Sequence, residues 1–293
     1  MERLEILKTY KIYIGGQFPR TESGRYYPLK DKKGTVLANV CLCSRKDVRN
    51  AVVAARKAQS SWAERAAFNR GQILYRIAEM LEGRKVQFIS ELVQQGYSTA
   101  KATKEVEFSI DRTVYYAGWC DKYNQIISSV NPVASSHFNF STGEPMGVVG
   151  VIAPDNSGLL ALISMILPVI CGGNTCVVLA SESLPLCAVT FAEVLNSSDL
   201  PGGVVNILTG QVGEMAPTLA SHMDVNALQT SGLENELSKK LALACVDNLK
   251  RNINYENNWN DSSAQGLHFI SDVQEIKTTW HPIENIGGAT STY

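Results

Sequence analysis

Seven cysteines and four histidines are the side chains of this chain that could attack a carbonyl, hold a metal or relay a proton, and their spacing supports none of these roles. A thiolate nucleophile needs a base, a cation or a metal beside it to lower its pKa. Cys171, Cys176 and Cys187 lie instead within apolar runs, where cysteine packs as a small core residue. Cys41 and Cys43 alternate in the strand-like Ala38-Asn-Val-Cys-Leu-Cys43, a pair with no histidine near it, and Cys245 ends an amphipathic helix. Cys120 has neither a histidine nor a metal-type spacing either. His137 precedes a hairpin, His222 ends a helix, and His268 and His281 lie in the tail. The remaining candidates for chemistry are four turns, 153–158, 180–184, 209–213 and 229–233. They matter only if each follows a parallel strand, because ligands of such sheets bind at the strands' carboxyl ends.

The elements around those turns have that order. Gly147–Ala153 is a short, continuous, valine-rich apolar run and suits a strand covered on both faces. Pro154-Asp-Asn-Ser-Gly158 turns the chain, and Leu159–Cys171 reads as a helix stopped by Gly172-Gly173. Thr175–Leu179 and Pro185–Leu195 repeat the strand-helix unit; Val204–Leu208 with Gly213–Ser221, and Val225–Gln229 with Glu234–Val246, complete four units. The fold class is therefore α/β, with a parallel sheet and right-handed crossovers. Upstream, residues 45–128 read as mostly helical, with Asp47 as the cap of a helix through Gln59 and a second helix over Phe68–Glu82. Tyr115, Tyr116, Trp119 and Tyr123 form a core-facing stripe, and Arg76, Arg84, Lys85 and the lysines at 101 and 104 form solvated faces.

Particular segments carry a resemblance. "EPMGVVGVIAPDNSGLLALISMILPVICGGNTCVVLASESLPL", "LPGGVVNILTG" and "SHMDVNALQTSG" resemble the aldehyde dehydrogenase superfamily in order and spacing, as do "YIGGQF", "AVVAARKAQSSWAE" and "RGQILYRIAEMLEGRKVQFISELVQQG" upstream. The resemblance covers residues 10–245 and implies a Rossmann-like parallel sheet, flanking N-terminal helices and an oligomerisation arm. It divides the chain into a degenerate cofactor-binding domain, 1–247, with the arm at 129–146; a linker, 248–263, where the sequence turns polar and asparagine-rich; and an oligomerisation tail, 264–293. "AQGLHFISDVQEIKTTWHP" in that tail resembles the end of family 16 aldehyde dehydrogenase-like proteins, whose second domain is divergent and noncatalytic.

The departures from the family pattern fall in the binding turns. Pro-Trp-Asn-Phe-Pro is here Pro154-Asp-Asn-Ser-Gly158, which keeps Asn156 at the position that donates to the oxyanion. Lys-Pro-x-Glu is Ala180-Ser-Glu-Ser183, so the lysine and glutamate that hold the adenosine ribose are absent; each lost charge-assisted hydrogen bond is worth about 1.5–3 kcal/mol. Phe-Thr-Gly-Ser is Gln229-Thr-Ser-Gly232, which keeps Thr230 and moves the glycine by one. The Glu-Leu-Gly-Gly segment with the base and the Gly-Gln-x-Cys segment with the nucleophile have no counterpart. Pro154, Asn156, Gly210, Gly213 and Thr230 are thus expected as vestiges of a cofactor site that binds NAD(P) weakly or not at all, and no residue is expected to be catalytic or to bind a metal.

The expectation for function is a noncatalytic family member that assembles with itself or with a relative through the 138–145 arm and the 273–281 strand. The alternative is a subunit of an NAD(P)-dependent aldehyde dehydrogenase, an oxidoreductase, whose catalytic half is on another chain; a sensor with residual dinucleotide affinity is a third reading. A formal charge of −1 without a basic patch argues against a nucleic-acid partner, and the longest apolar run is too short to cross a membrane. Unpaired cysteines and a charged, unapolar start point to the cytoplasm.

Overall fold

Four apolar runs, each followed by a helix, become four parallel strands, and a fifth strand joins them from a stretch that reads as a linker. The structure is a computed structural model that describes Ile6 and residues 8–283. Its strands are β1 (Thr9–Tyr10), β2 (Tyr26–Lys30), β3 (Val36–Cys41), β4 (Ser129–Asn131), β5 (His137–Pro145), β6 (Val148–Ile152), β7 (Thr175–Leu179), β8 (Val205–Leu208), β9 (Ala227–Ser231), β10 (Arg251–Tyr255) and β11 (Gln274–Pro282). Its helices are α1 (Arg45–Ala63), α2 (Ala67–Gly83), α3 (Lys85–Gln94), α4 (Thr99–Trp119), α5 (Tyr123–Ile127), α6 (Leu160–Cys171), α7 (Leu186–Asn196), α8 (Val212–Ser221), α9 (Asn235–Val246) and α10 (His268–Ser271). The central sheet is all parallel, in the order β10-β9-β6-β7-β8.

Every residue of β6, β7, β8 and β9 is buried, which is why β6 and β7 read as nearly continuous apolar runs rather than alternations; β8 and β9 also bury Asn206, Gln229, Thr230 and Ser231. Their side chains still divide by the pleat. Val149, Val151, Cys176 and Val178 join the core formed with α2, α3, α4, α6 and α7, around Phe88, Tyr116 and Phe191. Val148, Ile152, Val177 and Leu179 join the opposite core under α1, α8 and α9. The aromatic stripe of α4 goes where its spacing places it: Tyr116 and Tyr123 are fully buried, and Tyr115 and Trp119 pack against them.

Three expectations need correction. First, Asp47 is not the cap of α1. Ser44 is, and Asp47 closes a capping box from the third position, its carboxylate accepting from the Ser44 amide at 2.8 Å; the helix runs to Ala63. Secondly, residues 248–263 are not a linker. β10 pairs in parallel with β9 from Arg251↔Ala227 to Tyr255↔Ser231, Trp259 and Ala264 are buried, and Trp259 Nε1 donates to Ser231 Oγ at 3.2 Å. The asparagines mislead because β10 is an edge strand, whose outer side tolerates poor strand formers such as Asn252 and Asn254. Thirdly, the arm and the tail do not wait singly for partners. β11 pairs antiparallel with β5 over nine positions, Gln274↔Pro145 to Pro282↔His137, and β4 completes the sheet β11-β5-β4. The first part of the tail belongs to the core through Ala264, Phe269 and Ile270, and its end, 284–293, lies outside the described residues.

Candidate functional site

The carboxyl ends of the central strands are tied together by carboxylates of the chain itself. Glu105 on α4 is buried, and its Oε1 accepts from Ser157 Oγ at 2.9 Å, Leu159 N at 2.9 Å and Leu160 N at 3.3 Å, so it caps the start of α6 from another helix. Asp155 reaches across to the turn after β7: its Oδ1 accepts from Ser181 Oγ at 2.6 Å and from Ser183 N at 3.0 Å. Partial burial pushes the Asp155 carboxyl up, and the hydrogen bonds from Ser181 and Ser183 outweigh it, leaving it below its ordinary value. Glu182 turns the other way and accepts from the Val212 amide, the first residue of α8. A helix start offers free N–H groups to an anion, and here a side chain takes that place.

Between the ends of β6, β9 and β10 lies a cleft of about 300 Å³, lined by Pro154, Asn156, Gly232, Asn254, Glu256 and Trp259 among others. Asn156 is exposed and its backbone carbonyl accepts from the Tyr97 hydroxyl at 3.2 Å. Gly232 has φ +66°, and a Cβ there would stand 3.1 Å from Pro154 Cβ, so the turn after β9 needs its glycine to pass Pro154.

Of the five expected cofactor residues, the structure brings Pro154 and Asn156 into this cleft and leaves the other three out of its lining. Thr230 is buried and bonded to β10, donating to Asn254 Oδ1 at 3.1 Å and to Ile253 O at 3.4 Å. Gly210 has φ +130° and passes the β3–α1 connection so closely that a Cβ would lie 2.9 Å from Cys43 N; chain crossing accounts for it. A Cβ on Gly213, inside the first turn of α8, would meet open space. Reasoning from the sequence misses Tyr255 and Glu256, which β10 delivers to the cleft. Burial and the neighbouring Asp272 carboxylate, 3.0 Å from its hydroxyl, raise the Tyr255 pKa above the usual tyrosine range.

None of the seven cysteines lines the cleft; all are buried, and burial pushes the thiols of Cys171, Cys176 and Cys187 up, away from thiolate chemistry. No group of three His, Cys, Asp or Glu side chains placed to hold a metal occurs among the described residues, and no described helix is long and apolar enough to cross a membrane.

The model of the aldehyde dehydrogenase family matches residues 20–253, ending within β10. The chain belongs to the aldehyde dehydrogenase family. Cytosolic 10-formyltetrahydrofolate dehydrogenase of Mus musculus is 31% identical over 259 residues, 86% of this chain and 28% of that protein. Aldehyde dehydrogenase, cytosolic 1, of Elephantulus edwardii is 32% identical over 248 residues, 82% of this chain and 49% of that one. The NAD+ complex of an aldehyde dehydrogenase from Bacillus cereus superposes with a TM-score of 0.80 at 26% identity, over 84% of this chain and 50% of that chain. The apo form of an indole-3-acetaldehyde dehydrogenase gives 0.81 at 25%, over 86% and 58%. The chain thus spans about half the length of the family members it matches, or less. Among them its α/β sheet is an aldehyde dehydrogenase sheet, and Tyr255 and Glu256 belong to its fifth strand and the residue beyond.

Proposed function

We propose that this chain is a noncatalytic member of the aldehyde dehydrogenase family that acts through assembly, with a second copy or with another family member. The observation that carries this reading is the sheet β11-β5-β4. An arm and a strand far apart in sequence join to make it, yet β11 keeps an open edge and exposes Ile276 and Trp280. An uncovered edge strand bearing large apolar side chains is a surface for another chain. Leu243, Val246 and Leu249 add apolar exposure on and after α9, Leu249 at 91% and with φ +55°.

The cleft supports the noncatalytic half of the proposal. The residues present do not fit NAD(P): Ala180 is fully buried, Ser183 is bonded to Asp155, and the start of α8 is taken by Glu182. Asn156 stands free in the cleft, but an oxyanion donor accelerates nothing without a nucleophile that creates the charge, and the thiols are in the core. Seven buried, unpaired cysteines suit a reducing compartment, and we place the protein in the cytoplasm.

Sedimentation velocity on the purified chain, alone and mixed with a full-length family enzyme, tests the assembly. A self-associated or mixed species that Ile276→Lys/Trp280→Lys returns to monomer is the expected result. A chain that is monomeric at every concentration and ignores the enzyme contradicts it.

A further inference from the structure

The groove between α1 and the second half of α8 carries charge that the fold does not use. Arg45 and Arg49 are exposed, one turn apart on α1, and both line the groove with no hydrogen bond or ion pair to other described residues. The charges around them are committed elsewhere. Lys46 pairs with Glu22 at 2.5 Å, Arg25 with Glu214 at 2.8 Å, and the Asp47 carboxylate takes the Ser44 and Glu22 amides. For helix stability alone this placement is adverse twice: Arg45 stands in the first turn, where the helix dipole disfavours cations, and Arg45 and Arg49 repel at i, i+4. An anion held between the two guanidiniums removes both penalties.

The opposite wall supplies further donors. The groove has a volume of about 550 Å³, and Thr218 and His222 line it together with Pro217, Met223 and Ser221, whose hydroxyl donates to Pro217 O at 2.9 Å. His222 Nδ1 accepts from the Asp224 amide at 3.2 Å, which puts the ring proton of the neutral imidazole on Nε2, a free donor. The groups that act on this ring are Asp224, Lys250, Arg49 and Arg56, three of them cationic. The groove shares no lining residue with the cleft at the ends of β6, β9 and β10.

We propose that this groove binds the phosphomonoester group of a small phosphorylated solute, with Arg45 and Arg49 as paired forks and His222 Nε2–H as a further donor. Guanidinium forks match phosphate oxygens in geometry as well as charge. Pro217 and Met223 give the carbon skeleton of a small solute an apolar wall. The site is independent of the cleft.

Titration of the full chain with inorganic phosphate and with glycerol 3-phosphate, followed by amide NMR at constant ionic strength, tests the site. Saturable shifts confined to 45–49 and 217–223, an imidazole titration of His222 that moves up with ligand, and a melting temperature that rises with phosphate are expected. Arg45→Gln/Arg49→Gln should bind at least about tenfold more weakly, as expected for loss of charge-assisted bonds, and gain no melting temperature from phosphate. Without phosphate that variant should be at least as stable as the parent, which separates a binding role from a structural one; the single Arg49→Gln change gives the same readout with one residue altered. Absence of saturation by about 20 mM ligand, where affinity would be weaker than any specific site, overturns the proposal. Equal shifts with chloride, undiminished binding by the double variant, or binding to phosphatidic acid vesicles without binding to glycerol 3-phosphate would overturn it too.

Discussion

Arg112 shows how single residues hold this fold without ion pairs. It is 4% exposed, faces no carboxylate, and donates to Ser164 Oγ and Ala264 O at 2.6 Å each, to Trp259 O at 3.2 Å and to Asp261 O at 3.5 Å. It therefore fastens the segment after β10 to α4 and α6. Arg112→Leu leaves those carbonyls unpaired and should cost about 3 kcal/mol, the range for breaking a buried charged network, read by denaturant unfolding; hydrogen exchange should quicken first at 259–264. Glu91 makes the pH argument. Burial raises its carboxyl pKa, against hydrogen bonds from Thr190 at 2.6 Å and Tyr10 at 3.0 Å and the nearby Lys8. A carboxyl whose folded pKa is raised binds its proton more tightly when folded, so its contribution is full below the unfolded value of about 4.3 and is lost as pH rises through the folded one. Stability referred to Glu91→Gln should therefore fall across that window, and unfolding of both proteins at several pH values checks it. Asp155 runs the opposite way: its lowered pKa gives stability that disappears on acidification.

At the scale of elements, the segment after α9 is the informative one. If β10 and the 256–264 stretch beyond it are core, Trp259→Ala should cost about 3–5 kcal/mol, as for a large buried aromatic; a linker residue would change stability by less than about 0.5 kcal/mol. Calorimetric or denaturant unfolding distinguishes the two. The contrast between elements explains what the sequence discloses. Strands β6 to β8 are legible because burial on both faces leaves mostly apolar side chains to choose from, β9 because it stands before a helix in the repeating order although it ends in Gln229-Thr230-Ser231, and α6 because Gly172-Gly173 ends it. β10 is hidden because one side of it faces outward, so Asn252 and Asn254 carry no strand signal, and its membership depends on a register with β9 that no local pattern encodes. The cap of α1 is displaced by three residues in the sequence reading because the box has two polar ends, Ser44 and Asp47, and only geometry says which is outside.

At the scale of the whole molecule, the family's sheet persists while Glu105, Asp155 and Glu182 hold the turns at the ends of its strands. Pro154 and Asn156 lie in the cleft because a turn after a parallel strand must lie there, whatever its residues. That Glu105, Asp155 and Glu182 close the turns is not readable, since each acts on an amide 28 to 54 residues away. Long-range contacts of this kind appear only when the chain is folded. The arm sheet makes the matching point for association: β11 and β5 are complementary within one chain, so what remains for a partner is the open edge and the face carrying Ile276 and Trp280. We propose that this dinucleotide fold no longer takes the dinucleotide. Calorimetric titration of the full chain with NAD tests it most directly. The account predicts no heat of binding up to about 1 mM, beyond which a site would have less than about 4 kcal/mol of affinity. A saturable isotherm in the micromolar range, unaltered in Arg45→Gln/Arg49→Gln, would contradict it, because Glu182 and Asp155 would then have to yield their amides to the cofactor.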